Sequence, residues 1–122
     1  MKILVTGVAG FLGSHLAEKL ATLNHVVVGV DNMMGGYPDN VPKNIKFYNF
    51  DCCNLKMMNK IMEGVDVVYH CAATAHEGLS VFSPYEIGKN NYLASSSVFS
   101  AAISKKVKRI IFCSSMARYG SQ

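Results

Sequence analysis

This sequence predicts an α/β fold, a doubly wound parallel sheet with strand order 3-2-1-4-5, and two observations carry the prediction. Short apolar runs rich in β-branched residues, at 2–6, 25–30, 45–49, 65–70 and 108–113, alternate with segments of helical periodicity at 11–23, 54–62 and 84–104. Strands and helices alternating at these lengths join through right-handed crossovers into a parallel sheet covered on both faces. The second observation is a glycine triplet, Gly7, Gly10 and Gly13, at the first strand-to-helix turn. In such a fold a ligand crevice opens at the carboxyl ends of the strands, where the strand order reverses.

The first strand centres on Ile3, Leu4 and Val5, and the helix after it repeats Leu12, Leu16, Leu20 and Leu23. The first N–H groups of a helix lack partners within it and, with the helix dipole, attract an anion. Gly7 permits the tight turn, Gly10 lets the backbone close on a pyrophosphate, and Gly13 lets helix and strand pack closely. The second strand, HVVVGVDN, ends in Asp31, 18 residues beyond Gly13. A carboxylate there accepts hydrogen bonds from an adenosine ribose, the alternative being an Asp that only caps a turn. It also repels a 2′-phosphate, and no Arg or Lys follows until Lys43, which favours NAD over NADP.

The segment from Asp31 to Asn44, with Pro38 and Pro42, is a polar connection rather than a helix and makes the crossover to the third strand irregular. That strand ends in NFDCCN, where Asp51, with the Cys52 backbone beside it, either accepts from an adenine amino group or N-caps the helix near 54. The fourth strand ends in VVYHCAATA: Ala72, Ala73 and Ala75 offer small side chains over which a cofactor lies, His70 reads as a packed strand residue rather than a base, and the lone loop His76 as a surface residue, the alternative being a catalytic one. The fifth ends in IIFCSSMARYG. Of its two adjacent hydroxyls Ser115 stands nearest the chemistry, although paired serines at a strand end also cap turns.

Composition narrows the classes. The 122 residues, 50% of them hydrophobic, suffice for one domain, 1–122, with its own core. The net charge is only +4, and the one basic cluster, Lys105, Lys106, Lys108 and Arg109, reads as a solvated face with no aromatic platforms beside it, so no nucleic-acid partner is expected. Cys52, Cys53, Cys71 and Cys113 form no CxxC pair and have no His spacing suited to zinc; they read as reduced, mostly buried thiols of a cytoplasmic protein, with no metal. Thr6 and Gly7 interrupt the opening apolar run too early for a signal peptide, and no membrane association is expected.

Together these residues resemble the extended short-chain dehydrogenase/reductase family, specifically its NAD-dependent sugar-nucleotide epimerase/dehydratase branch, to which the UDP-galactose 4-epimerases belong. The likeness runs through the whole chain: Thr6-Gly7-x-x-Gly10-x-x-Gly13, Asp31-Asn32, Asp51-Cys52, HCAA after the fourth strand, NNYLASSSVFSAA in the long helix and SSMARYG after the fifth strand. The resemblance implies a Rossmann-type domain in which backbone N–H groups of Phe11 and Leu12 hold the pyrophosphate. By it, Asp31 and Asn32 would bind the adenosine ribose, Asp51 and Cys52 the adenine, and Ala72 and Ala73 the cofactor backbone. Asn91 would match the family's helix asparagine at the cofactor site, and Ser115 its catalytic Ser/Thr.

The implied reaction is transient oxidation of a nucleotide sugar. A Tyr phenolate takes a hydroxyl proton, hydride passes to NAD, a nearby Lys lowers the tyrosine's pKa, and the sugar turns to take the hydride back on its other face. Family members that eliminate water carry an acid one or two places after the Ser/Thr; Met116 and Ala117 stand there, so the chain looks more like an epimerase than a dehydratase. The catalytic Tyr and Lys belong to a YxxxK motif that the family places after the serine, and the chain reaches only Gln122. The single YxxxK, Tyr85 to Lys89, precedes Ser115 and is not expected to be catalytic; Tyr119 fits the family's structural YG.

The expectation is therefore the NAD-binding part of such an enzyme, truncated after the fifth strand, without the substrate-binding region and without turnover by itself. The alternatives are a non-catalytic dinucleotide-binding or assembly module, or a dehydratase or reductase of the same superfamily. The fifth strand becomes an exposed apolar edge, and the 84–104 helix, with Tyr92, Val98, Phe99 and Ile103, loses the helix beside it in family dimers, so a homodimer covering both is expected.

Overall fold

The computed structural model describes residues 1–120, apart from the side chains of Glu77, Leu79 and Ala117. Five strands, β1 (Lys2–Thr6), β2 (Val26–Asp31), β3 (Lys46–Asn49), β4 (Val67–His70) and β5 (Arg109–Phe112), form one sheet in the order β3-β2-β1-β4-β5. Every pairing is parallel. The sheet is thus the expected doubly wound one, with β1 at its centre.

Alternation along β1 builds both faces. Ile3 and Val5 join Val8, Val27 and the α1 (Phe11–Thr22) residues Ala17 and Leu20 on one side. Leu4 joins Val28, Val30 and Val68 on the other, under Met58 and Ile61 of α2 (Leu55–Ile61) and under Val98, Ala101 and Ala102 of α5 (Ala94–Ser104). Gly29 is where this arrangement needs a missing side chain, because a Cβ there would stand 2.7 Å from Val8 Cγ1.

Three differences from the sequence expectation bear on the site. β2 runs one residue further, so that Asp31 is its last strand residue. The segment after β4 contains a short helix, α3 (Glu77–Phe82), where no element is expected. The 84–104 segment is not one regular helix: α4 (Pro84–Ile87) passes into a π-helical turn at Gly88–Leu93 before α5. The outward face expected of this segment also divides. Tyr92 and Ile103 are exposed, whereas Val98 is fully buried and the Phe99 ring packs edge-on against His70 and Phe112. Between β2 and β3 the chain has only a 3-10 turn at Pro38–Asn40, the irregular crossover expected.

Candidate functional site

A crevice of about 540 Å³ opens at the carboxyl ends of β1 to β4, and the glycine turn forms its floor. Gly7 adopts φ +70°, the left-handed region, and a Cβ on it would lie 2.8 Å from the Ala72 backbone nitrogen. Gly13 sits under the same turn, where a Cβ would lie 2.1 Å from the Gly7 carbonyl oxygen. The two glycines therefore fix how closely α1 and β4 approach β1. Gly10 is the N-cap of α1; no side chain caps the helix and its first turn carries no acid. With Ser14 N–H bonded to the Gly10 carbonyl, the N–H groups of Phe11, Leu12 and Gly13 have no i−4 carbonyl within the helix to bond.

Asp31 organises the next wall. The residue is 8% exposed, and its carboxylate accepts from Ala9 N–H at 3.0 Å and from Met33 N–H at 2.8 Å. The Ala9 N–H is not the only anchor of that turn, since the Ala9 carbonyl accepts from Tyr37 N–H and from the Asn40 side-chain amide. Gly36 makes this docking possible, because a Cβ there would stand 2.5 Å from Ala9 Cβ. Met33 holds φ +64°, a conformation non-glycine residues seldom adopt. The loop after β2 is thus folded down onto the glycine turn, with Asp31 and Asn32 on the crevice wall.

Asp51 does not cap α2; Asn54 does, its side chain accepting from Met57 N–H at 3.1 Å. Asp51 instead accepts from Cys53 N–H at 2.8 Å and pairs with Lys89 at 3.5 Å. Burial alone would raise its pKa, but the Cys53 hydrogen bonds and the Lys89 charge outweigh that and hold it below the usual carboxylate value. Lys89, raised in turn by Asp51 and Glu86, belongs to the YxxxK that was not expected to be catalytic, and its ammonium faces the β3 tip. Cys52 is buried against the crevice, where burial and the Asp51 and Asp31 charges push its thiol up to about 12.

At the β4 tip Ala72, Ala73 and Ala75 line the crevice, and so does exposed His76. His70 is packed, as expected, and its hydrogen bonds fix its tautomer. Ser95 Oγ donates to the Asn91 carbonyl, so it accepts from His70 Nε2–H at 2.8 Å. Nδ1 is then the acceptor, taking the Thr6 hydroxyl proton at 2.7 Å, while Thr6 Oγ1 accepts from Ala72 N–H at 3.0 Å. Burial lowers the His70 pKa to about 4. This directed chain ties β1, β4 and the long helix together beneath the crevice.

The π turn brings two adjacent asparagines to one residue. Asn91 accepts from Thr74 N–H at 2.7 Å and donates to the Thr74 carbonyl at 3.1 Å. Asn90 donates to Thr74 Oγ1 at 3.1 Å, and its own Oδ1 is buried with no hydrogen-bond partner among the described residues.

The crevice therefore gathers Gly7, Gly10, Phe11, Asp31, Asn32, Asp51, Cys52, Ala72 and Ala73. Leu12 and Gly13 lie in α1 behind the turn, Asn91 spends its side chain on Thr74, and Ser115 is exposed three residues past β5, outside the lining. Met34, Gly35, Gly36, Thr74 and Asn90 line the crevice without having been singled out. The Gly35-Gly36 pair was a visible signal for the loop. Asn90 had none, because a regular helix would not have presented it beside Asn91.

The model of the NAD dependent epimerase/dehydratase family matches residues 3–122. A UDP-glucose 4-epimerase of Streptomyces lividans is 34% identical over 98% of this chain, which spans 37% of that protein. A UDP-N-acetyl-alpha-D-glucosaminuronate decarboxylase of Bacillus cytotoxicus is 33% identical over 98% of the chain, which spans 38% of it. The solved UDP-glucose 4-epimerase of Brucella ovis in complex with NAD superposes with a TM-score of 0.92 at 34% identity, covering 98% of this chain and 37% of that one. Sheet order, glycine turn and family match agree over nearly the whole length, and the chain belongs to the NAD dependent epimerase/dehydratase family.

Proposed function

We propose that this chain is the NAD-binding portion of a sugar-nucleotide epimerase. The observation that carries the reading is the crevice, which joins an uncapped helix start, a buried strand-end carboxylate and a floor of small residues. The residues fit a dinucleotide. Gly7 and Gly10 put bare backbone on the crevice lining at the start of α1, with Ala72 and Ala73 opposite, and Asp31 and Asn32 stand on the wall beside them.

In this reading Phe11 and Leu12 N–H groups hold the pyrophosphate, Asp31 and Asn32 the ribose, Asp51 and the Cys52 backbone the adenine, and Ala72 and Ala73 the cofactor's central stretch. Asp31 retains acceptor capacity for ribose hydroxyls beyond its two loop hydrogen bonds. NAD, when bound, supplies a hydride acceptor that returns the hydride to the same sugar. Ser115 is the chain's own catalytic candidate, hydrogen-bonding a substrate oxygen. No YxxxK follows it in these 122 residues, and the chain alone turns over no nucleotide sugar. Self-association through the β5 edge belongs to the same reading.

Calorimetric titration of the purified chain with NAD, NADP and NAD against Asp31→Ala tests it. The expected result is saturable NAD binding, weaker for NADP and at least about tenfold weaker in the variant, as two ribose hydrogen bonds to a charged group imply. A folded chain that binds no NAD overturns the reading.

A further inference from the structure

β4 and β5 end with two cysteines side by side. The parallel register pairs His70 with Phe112, so the next residue on each strand is Cys71 and Cys113. Cys113 N–H donates to the His70 carbonyl at 3.3 Å, which holds the two chains together one step past the ladder. The sulfurs are 3.6 Å apart, the Cys113 thiol donating to Cys71, and both are free thiols. Neighbouring strands run about 4.8 Å apart, within the roughly 4.4–6.8 Å Cα separation that a disulfide spans.

We propose that Cys71 and Cys113 are a redox-active dithiol, which a small-molecule disulfide of the glutathione class converts reversibly into an intrachain disulfide. Their exposures assign the roles. Cys113 is exposed, whereas Cys71 is half-buried in the crevice wall, where burial and the adjacent Cys113 push its thiol up to about 12. The Cys113 thiolate attacks one sulfur of the oxidant, forming a mixed disulfide and releasing one thiol. Cys71 then loses its proton and attacks Cys113 Sγ, breaking the mixed disulfide and releasing the second thiol. Two protein thiols are oxidised by two electrons and one small disulfide is reduced to two thiols.

The other two thiols lie apart from this pair: Cys52 is buried at the β3 tip, and the Cys53 thiol donates to the Lys89 carbonyl. Cross-linking has a local consequence. It pins the start of the Ser114-Ser115 segment to the crevice wall behind Gly7, whose missing Cβ would lie 3.0 Å from the Cys71 carbonyl carbon.

The test is peptide mapping of the folded chain after equilibration with oxidised and reduced glutathione. Trypsin puts Cys52 and Cys53 on residues 47–56, Cys71 on 61–89 and Cys113 on 110–118. The expected product is a linked 61–89/110–118 pair lighter by two hydrogens, restored by reduced glutathione. In Cys71→Ser the glutathione adduct on Cys113 should persist, at least about tenfold more abundant than in the parent chain, because the resolving thiol is gone. Linkage through Cys52 or Cys53, or an equal adduct on Cys113 in parent and variant, overturns the proposal. The mapping of the parent chain decides the first point without any variant.

Discussion

At residue scale, the glycines separate by what surrounds them. Gly64 and Gly120 also adopt positive φ but face open space, whereas Gly7 combines φ +70° with a wall of Ala72 and Cys71 backbone. Gly7→Ala therefore meets both a disfavoured conformation and a clash that no side-chain rotation relieves. It should cost on the order of 3 kcal/mol in chemical denaturation, while Gly35→Ala, in open space, should cost under about 1 kcal/mol. His70 gives a pH signature. Its folded pKa of about 4 lies below the ordinary 6.5, so between those values the unfolded chain binds the extra proton. Stability from this group is complete above about pH 6.5 and is lost as pH falls toward 4, by about 3 kcal/mol in all. Urea titrations at pH 7 and pH 4.5 should show that loss in the parent chain and a smaller one in His70→Gln; equal losses would remove His70 from the account. The strand-tip residues were legible because alternation and glycine spacing fix where they fall. Asn91's use was not, since whether an amide meets a ligand or a backbone depends on the Thr74 loop opposite it.

At the scale of elements, the π turn at Gly88–Leu93 is the main departure from what periodicity could show. A wider turn changes the angle between successive residues, which lets Asn90 and Asn91 reach the side chain and the backbone of Thr74 together. No composition rule distinguishes such a turn from regular helix, so the segment read as continuous. The short helix α3 was equally invisible, six residues being too few to show a period. By contrast, the five strands and α1 were plain, because each buries apolar residues at the spacing its geometry demands. Asn91→Ala should cost roughly 1–3 kcal/mol by freeing two Thr74 backbone groups, and should speed hydrogen exchange at the Thr74 amide. An unchanged exchange rate there would show that the loop is held by other contacts.

For the whole molecule, the sheet has two unlike edges. β3 is the outer strand beyond β2, with Lys46, Phe47 and Asn49 exposed, while β5, paired among the described residues only with β4, presents Ile110, Ile111 and Phe112 at the other edge. Light scattering across a concentration series should show self-association that an Ile111→Lys substitution weakens; a monomer at every concentration would place the apolar edge under no copy of this chain. The chain spans 37–38% of the relatives described, and the residues that line the crevice come from the tips of β1 to β4 and the segments that follow them. The central position of β1 also has a consequence for how the protein is made. Ile3 has two neighbours, Val27 and Val67, and the second leaves the ribosome 64 residues after it. At about 5–20 residues per second the nascent first strand waits roughly 3–13 s for β4 with half its ladder open. Until then β2 pairs one edge and α1 covers the Ile3 and Val5 face, and the Leu4 face waits for α2 and α5 to be made.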